Sequence, residues 1–197
     1  MVVDNGSTDR TADRAFDAGA DVIHVAEPGY GRACLAGVKA SRDAEFIIFM
    51  DGDGADDPND LSALIDPILN GRVDFVIGSR LIGKTERGAL TLTQRFGNRL
   101  ATGFMRLIWG GQFTDLGPFR AITRSAYDEL DMRAETYGRT VEIQVRALKQ
   151  NLRQTDVPVT YRRRIGVSKI SGTVKGRGLA GWFILSTIFK EAIFSSR

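Results

Sequence analysis

The sequence predicts a doubly wound α/β layer, on three observations. Short apolar runs recur at Val2–Val3, Asp21–Val25, Phe46–Met50 and Phe75–Ile77, each the length of a strand. Most of them break into a turn rich in Gly, Asp or Ser, and helix-length segments separate them. Strands alternating with helices give a mostly parallel sheet with helices on both faces. At 197 residues, the chain suits one domain and can bury a real core.

Taken in order, Val2–Val3 reads as the end of a strand, and Asp4-Asn5-Gly6-Ser7-Thr8-Asp9 as a tight turn into a helix that runs through Ala18. Gly6 permits the turn, and Ser7 or Asp9 caps the helix. Asp21–Val25 is the second strand. Its His24 is the only histidine of the chain, and a lone histidine in a strand is read as structural. Glu27-Pro28-Gly29-Tyr30-Gly31-Arg32 is a glycine-rich loop that opens a helix through Ala40. Free N–H groups at such a helix start, with Arg32 beside them, suit a phosphate; an ordinary Pro-Gly turn fits the pattern equally well.

Phe46–Met50 reads as a strand buried on both faces of a parallel sheet. Asp51-Gly52-Asp53-Gly54-Ala55-Asp56-Asp57-Pro58 follows it directly. Four carboxylates crowd one strand end cheaply only around a cation. Ligands of open α/β sheets sit at that carboxyl edge. Asp51 and Asp53 are therefore the candidate ligands of a divalent metal, Mg²⁺ or Mn²⁺, that also holds a diphosphate. Asp56 and Asp57 also suit the N-cap of a helix from Pro58 to about Leu69. Phe75–Ile77 then ends in Gly78-Ser79-Arg80, and Gly83–Gly88 reads as a charged, mobile loop.

From Thr91 to about Ile108, apolar residues at Leu92, Phe96, Leu100, Phe104 and Leu107 step by three and four. Arg95, Arg99 and Arg106 form a stripe displaced from them. Such a helix lies on a membrane surface, presents guanidinium groups to a phosphate, or packs on the core beneath a solvated basic face. Asp115–Arg120 is a loop whose Asp115 is expected to face the reaction centre. A helix from about Arg139 to Asn151 turns Val141, Val145 and Leu148 inward and places Glu142 toward a cleft. Val157–Tyr161 is a strand, and Arg162–Lys169, four cations and a hydroxyl around Gly166, is an expected anion-binding loop.

Composition narrows the classes. Hydrophobic content of 43% excludes disorder and a multi-span membrane protein. The single cysteine, Cys34, excludes an internal disulfide and fits a reducing compartment. No apolar run reaches the ~18–20 residues that span a bilayer. The net charge of +3 is small, and the basic clusters lack interleaved aromatics, which argues against nucleic acid as a partner.

In their order and spacing, VVDNGSTDRT, GYGRA, FMDGDGADDP, VIGSR, the Arg95 helix, TDLGPFRAI, the Glu142 helix and YRRRIGVSKISGT resemble a family 2 glycosyltransferase of the dolichyl-phosphate-mannose-synthase-like branch. The resemblance implies a GT-A fold lacking its usual first strand and helix, and thus an N-terminally truncated chain. It implies transfer of a sugar from a nucleotide-diphosphate donor to a polyprenyl phosphate or another acceptor, at the cytoplasmic side and in peripheral contact with the membrane. Residues 1–82 become a nucleotide- and metal-binding half, 83–177 an acceptor-side half, and 178–197 an apolar C-terminal helix. Asp4, Asn5, Ser7, Gly31, Arg32 and Asp51 are then expected at the nucleotide. Arg163 or Arg164, with Ser168 and Lys169, are expected at the diphosphate, and Arg80, Arg95, Arg99 and Arg120 at the acceptor. Asp51 and Asp53 hold the metal, with Asp53 the direct ligand, and Asp115 or Glu142 is the base if the acceptor is a hydroxyl. Ala55 stands where some lipid-phosphate members have a polar residue. Two other classes stay in view: an inactive remnant that binds nucleotide or membrane, and a nucleotidyltransferase, for which the expected glycine-rich, lysine-bearing start is not seen. An unpaired first strand makes pairing with a second copy an expectation.

Overall fold

The computed structural model describes residues 1–136, 138–166 and 184–192. Its core is a four-stranded sheet of β3 (Phe46–Phe49), β5 (Arg120–Thr123), β4 (Phe75–Thr85) and β6 (Gln154–Tyr161), in that order. β5 runs antiparallel to both β3 and β4, and β6 runs parallel to β4, so three of these four strands point the same way. Their carboxyl ends therefore share one edge of the sheet. A separate parallel pair is formed by β1 (Val2–Asp4) and β2 (Val22–His24), joined by α1 (Thr11–Asp17).

Side chains alternate across each strand and so feed two cores. Phe75, Ile77, Ile122 and Ile47 pack on one face with Val38 of α2 (Tyr30–Ala40), Ala101 and Met105 of α4 (Leu92–Trp109), and Val141, Val145 and Leu148 of α6 (Arg139–Lys149). Val76, Ala121 and Val159 pack on the other with Leu64 and Ile68 of α3 (Leu61–Leu69). Helices thus cover both faces, as the strand–helix alternation predicts. A short helix, α5 (Arg124–Glu129), follows β5, and residues 184–192 form a further helix.

Several expectations need correction. The Phe46–Met50 strand ends at Phe49, lies at a sheet edge and pairs only with the antiparallel β5, and Ile47 alone in it is fully buried. Both of its faces are covered, but among the described residues no strand covers its outer edge. Gly83–Thr85 is no mobile loop: β4 continues through it after a register shift and pairs with Thr160 and Tyr161. Gly83 makes this approach feasible, since a Cβ there would sit 2.1 Å from the Val159 carbonyl oxygen. Neither Ser7 nor Asp9 is the N-cap of α1. Arg10 takes that position, while Asp9 accepts the Thr11 N–H and Asp4 accepts that of Ser7.

α4 begins at a capping box in which the Thr91 hydroxyl accepts from the Gln94 N–H and the Gln94 side chain accepts in return. Its inward face carries Asn98, Ala101, Thr102 and Met105. Leu92, Phe96, Leu100 and Leu107 are exposed on the opposite side, while Met105 is buried and Phe104 and Trp109 pack against the core.

Candidate active site

The carboxyl edge of the sheet brings together the loops after β3 and β6. Asp57 accepts from the Asn59 N–H and thereby caps the 3₁₀ turn Pro58–Asp60, fixing the far end of the acidic loop. Chain leaving β6 runs beside this loop. Tyr161 bridges Asp56, the Arg162 N–H donates to the Ala55 carbonyl, and the Ile165 N–H donates to that of Asp53. The arginines after β6 then diverge. Arg162 pairs with Asp57 and Arg164 with Asp53. Arg163 turns away to Glu86 and the Arg87 carbonyl.

Two carboxyl groups of this loop are raised above their usual range. Burial, and then the neighbouring Asp53, pushes the Asp51 carboxyl above its usual range. Burial, followed by Asp51, pushes Asp56 up to about 7. One buried Asp56 oxygen has no hydrogen-bond partner. Two acids raised by burial and by neighbouring carboxylates, beside an orphaned oxygen, fit a cation, and hard oxygen donors suit Mg²⁺ or Mn²⁺. Among the described residues no three His, Cys, Asp or Glu side chains converge as a self-contained metal site. Asp51 and Asp53 would therefore act with phosphate oxygens and water, the usual way Mg²⁺ is held. Tyr30, at the start of α2, is half-buried; desolvation and then the Asp51 carboxylate push its phenol well up.

A second cluster is built around Asp115, which is fully buried. Its two oxygens accept from the Arg80 N–H at 2.9 Å, Arg80 Nε at 2.7 Å, Arg80 Nη2 at 2.8 Å, Asn98 Nδ2 at 2.6 Å and the Leu116 N–H at 2.7 Å. Burial raises the Asp115 carboxyl, but the hydrogen bonds and charge of Arg80 outweigh it and hold the group below its usual range. Arg80 also lies over the Tyr161 ring, 5.0 Å from its centroid. Asp115, expected as a base, has both oxygens occupied by these donors, and Arg80, expected at the acceptor, holds it through Nε and Nη2.

Other expected site residues are also engaged. Glu142 is buried and accepts the N–H groups of Arg133 and Ala134 and pairs with Arg146 at 3.2 Å. Arg120 is buried, its guanidinium spent on the carbonyls of Leu116, Gly117 and Thr140. In the glycine-rich loop, the Gly29 N–H donates to Asn5 and the Arg32 N–H to the Glu135 carbonyl, so neither is left for a phosphate. Gly31 serves close packing, since a Cβ there would sit 2.1 Å from the Ala134 oxygen. Arg32 pairs with Glu135 at 2.6 Å, and Asp4 contacts His24 at 3.2 Å. Arg95 and Arg99 are exposed on α4. Ser168 and Lys169 lie outside the described residues.

The sequence reading passed over Asn98, Tyr161 and the orphaned oxygen of Asp56. An amide on the inward face of α4 and an aromatic just before three arginines were the available signals.

Residues 1–131 match the family described as Glycosyl transferase family 2. The chain is 35% identical over 162 residues to the glycosyltransferase AglJ of Haloferax volcanii, a match covering 82% of this chain and 53% of that protein. It thus spans about half of that relative's length. It is 32% identical to the polyprenol monophosphomannose synthase of Mycolicibacterium smegmatis, over 88% of this chain and 70% of that one. Undecaprenyl-phosphate mannosyltransferase of Micrococcus luteus is 28% identical, over 91% and 78%. Glucosyl-3-phosphoglycerate synthase of Mycobacterium tuberculosis, solved with Mn²⁺ and UDP-glucose, superposes with a TM-score of 0.73 at 21% identity, covering 98% of this chain and 67% of that one. That likeness shows the fold, which is GT-A. The chain belongs to glycosyltransferase family 2.

Proposed function

We propose that the protein moves a sugar from a nucleotide-diphosphate donor to a polyprenyl phosphate, at the cytoplasmic face of a membrane that it contacts peripherally. The observation that carries this is the acidic loop Asp51–Asp56 meeting Arg164 at the carboxyl edge of the sheet. The names of two relatives, a polyprenol monophosphomannose synthase and an undecaprenyl-phosphate mannosyltransferase, support the lipid-phosphate acceptor. Among the described residues no helix is long and apolar enough to cross a membrane.

In the proposed reaction an acceptor oxygen attacks the anomeric carbon while the bond from that carbon to the diphosphate breaks. The bonding electrons leave with the diphosphate. Asp51 and Asp53 would hold Mg²⁺ or Mn²⁺, which offsets charge on the leaving group. Arg164 has the reach and sign to meet that diphosphate once Asp53 turns to the metal. A phosphate acceptor is already an anion and needs no general base. This suits a site in which both candidate bases, Asp115 and Glu142, have their oxygens occupied. Arg95 and Arg99, exposed on α4, remain the arginines open to an acceptor phosphate.

The test is thermal shift with UDP-, GDP- and dTDP-sugars, with and without Mn²⁺, followed by transfer to a short-chain polyprenyl phosphate. A metal-dependent rise in melting temperature for one nucleotide, lost in Asp53→Asn, is the expected outcome. Binding without release of nucleotide diphosphate would instead mark a nucleotide-binding module. Unchanged affinity in Asp53→Asn would remove the metal role.

A further inference from the structure

Where β3 ends, α2, α6 and the sheet enclose a cavity that leaves about 10 Å³ for the centre of a water-sized sphere, the space of one water or one halide ion. Phe49 and Ile143 form its apolar wall. Its polar side chains are the guanidiniums of Arg120 and Arg139, the Tyr30 phenol, the Cys34 thiol and the Thr140 hydroxyl, every one able to donate a hydrogen bond. Among the described residues no carboxylate lines it. Both arginines are 3% exposed. The acids on their neighbouring segments, Asp115 and Glu142, pair with Arg80 and Arg146 instead. Arg139 Nη2 donates to the Tyr127 hydroxyl, and its guanidinium lies 5.7 Å from the Phe49 ring centroid and 5.6 Å from that of Tyr127. Its other terminal nitrogen, Nη1, is buried without a hydrogen-bond partner. Arg139 is also the first residue of α6, where the positive end of the helix disfavours a cation. Arg120 donates to three carbonyls, which carry no net charge. Burial lowers its guanidinium from the ordinary value, and the Arg139 charge adds to that.

We propose that this cavity is a halide site that holds one chloride ion. The ion accepts the orphaned Arg139 N–H and offsets two buried cations that no side chain of the cavity neutralises. Size decides against sulfate, phosphate and organic acids, which exceed the space of one water. A water fits but is neutral, so it would leave both charges uncompensated. The two aromatic rings and the Tyr127 hydroxyl already hold the Arg139 guanidinium in place, so little order is lost to binding. Arg120 is among the charges that act on Asp51, which puts the ion within electrostatic reach of the acidic loop.

Neither sugar donor, acceptor nor divalent metal enters the test. The full chain is melted in sodium gluconate, with chloride replacing gluconate stepwise at constant ionic strength. The melting temperature should rise with the logarithm of chloride concentration once the site begins to fill, because the ion binds only the folded state. Bromide should act in the same way, and crystals soaked in sodium bromide should show an anomalous peak beside Arg139. Arg139→Met removes one cation and the orphaned donor, and should weaken chloride about tenfold or more, the worth of a hydrogen bond to a charged group. Its melting point should therefore fall further below wild type as chloride is raised. An Arg139 that only braces Tyr127 would give a gap that chloride does not move. Arg42→Met, which removes an exposed cation elsewhere, should keep the full chloride response. The bromide peak needs no variant, and it decides the case even if Arg139→Met does not fold. A wild-type melting point indifferent to chloride, an empty cavity in bromide, or a constant gap to Arg139→Met would overturn the proposal and leave a water there. Loss of the response in Arg42→Met would overturn it too, by tracing the response to surface charge.

Discussion

Replacing Asp115 by Asn should be among the most damaging conservative changes in this protein. One carboxylate oxygen accepts from the Arg80 N–H and Nε, and the other from Arg80 Nη2, Asn98 Nδ2 and the Leu116 N–H. An amide is nearly the same shape, but its NH₂ must face either two donors or three. It also leaves the Arg80 guanidinium, only 10% exposed, without a counter-charge. Breaking a buried pair from one side costs about 3–5 kcal/mol. In a chain of this size each kcal/mol moves the melting point by about 2–4 °C, so Asp115→Asn should melt about 6–20 °C below wild type. Arg80→Met with Asp115→Leu, which removes both charges, should recover part of that loss in a double-mutant cycle. Acid supplies an independent check. The folded Asp115 carboxyl lies below its usual range, so its contribution is complete above the unfolded value of about 3.9 and is lost as pH falls below it. The gap between wild type and Asp115→Asn should therefore narrow as the solution is acidified through that region. If Asp115→Asn melts within about 2 °C of wild type at neutral pH, where each kcal/mol should register, the buried ion pair does not hold this structure together.

Four further outcomes follow from the geometry. Arg164→Ala should weaken Mn²⁺-dependent binding of UDP or GDP in calorimetry while costing under about 1 kcal/mol of stability, since its pair with Asp53 is partly exposed. Arg163→Ala, which releases Glu86 and the Arg87 carbonyl, should leave that affinity in place. Glu142→Gln should cost about 1–3 kcal/mol in urea unfolding, because the Arg146 ion pair goes and the two N–H groups of Arg133 and Ala134 lose a charged acceptor. Gly31→Ala should lower the melting point by the equivalent of about 1–3 kcal/mol, because its Cβ would press on backbone at Ala134 and Glu135.

The sequence exposed the strand–helix alternation because period and turn chemistry are local. It also located the acidic loop, since crowded carboxylates after an apolar run are legible without a partner. What it missed depends on contacts between distant segments. Arg120–Thr123 reads as nothing distinctive, yet it inserts antiparallel between β3 and β4 and so moves Phe46–Phe49 to an edge. Asp115 looked available because its five donors come largely from residues 80 and 98. The apolar spacing of α4 showed a stripe correctly but carried no information on which side faced the protein. That was set by Asn98 reaching Asp115 and by small residues that let the helix approach the sheet. The choice between Arg163 and Arg164 was likewise open in the sequence. Of these two, Arg164 turns to Asp53 of the acidic loop and Arg163 to Glu86.

Among the described residues the unit of β1, α1 and β2 shares no ladder with the four-stranded sheet, and α1 buries none of its residues. Phe16 of α1 stands largely in solvent, and each strand of the pair is three residues long. Such a segment opens on its own, well before the sheet containing β4, and its amides should lose protection against deuterium by local fluctuation. The opening would not stay local in effect. Asn5 at the end of β1 holds both the Gly29 N–H and the Glu27 carbonyl, so each excursion releases the strap that carries Tyr30 and Arg32. A nucleotide gripping that strap would then be felt first as slower deuterium uptake at Val2–Val25, in a part of the chain it need not touch.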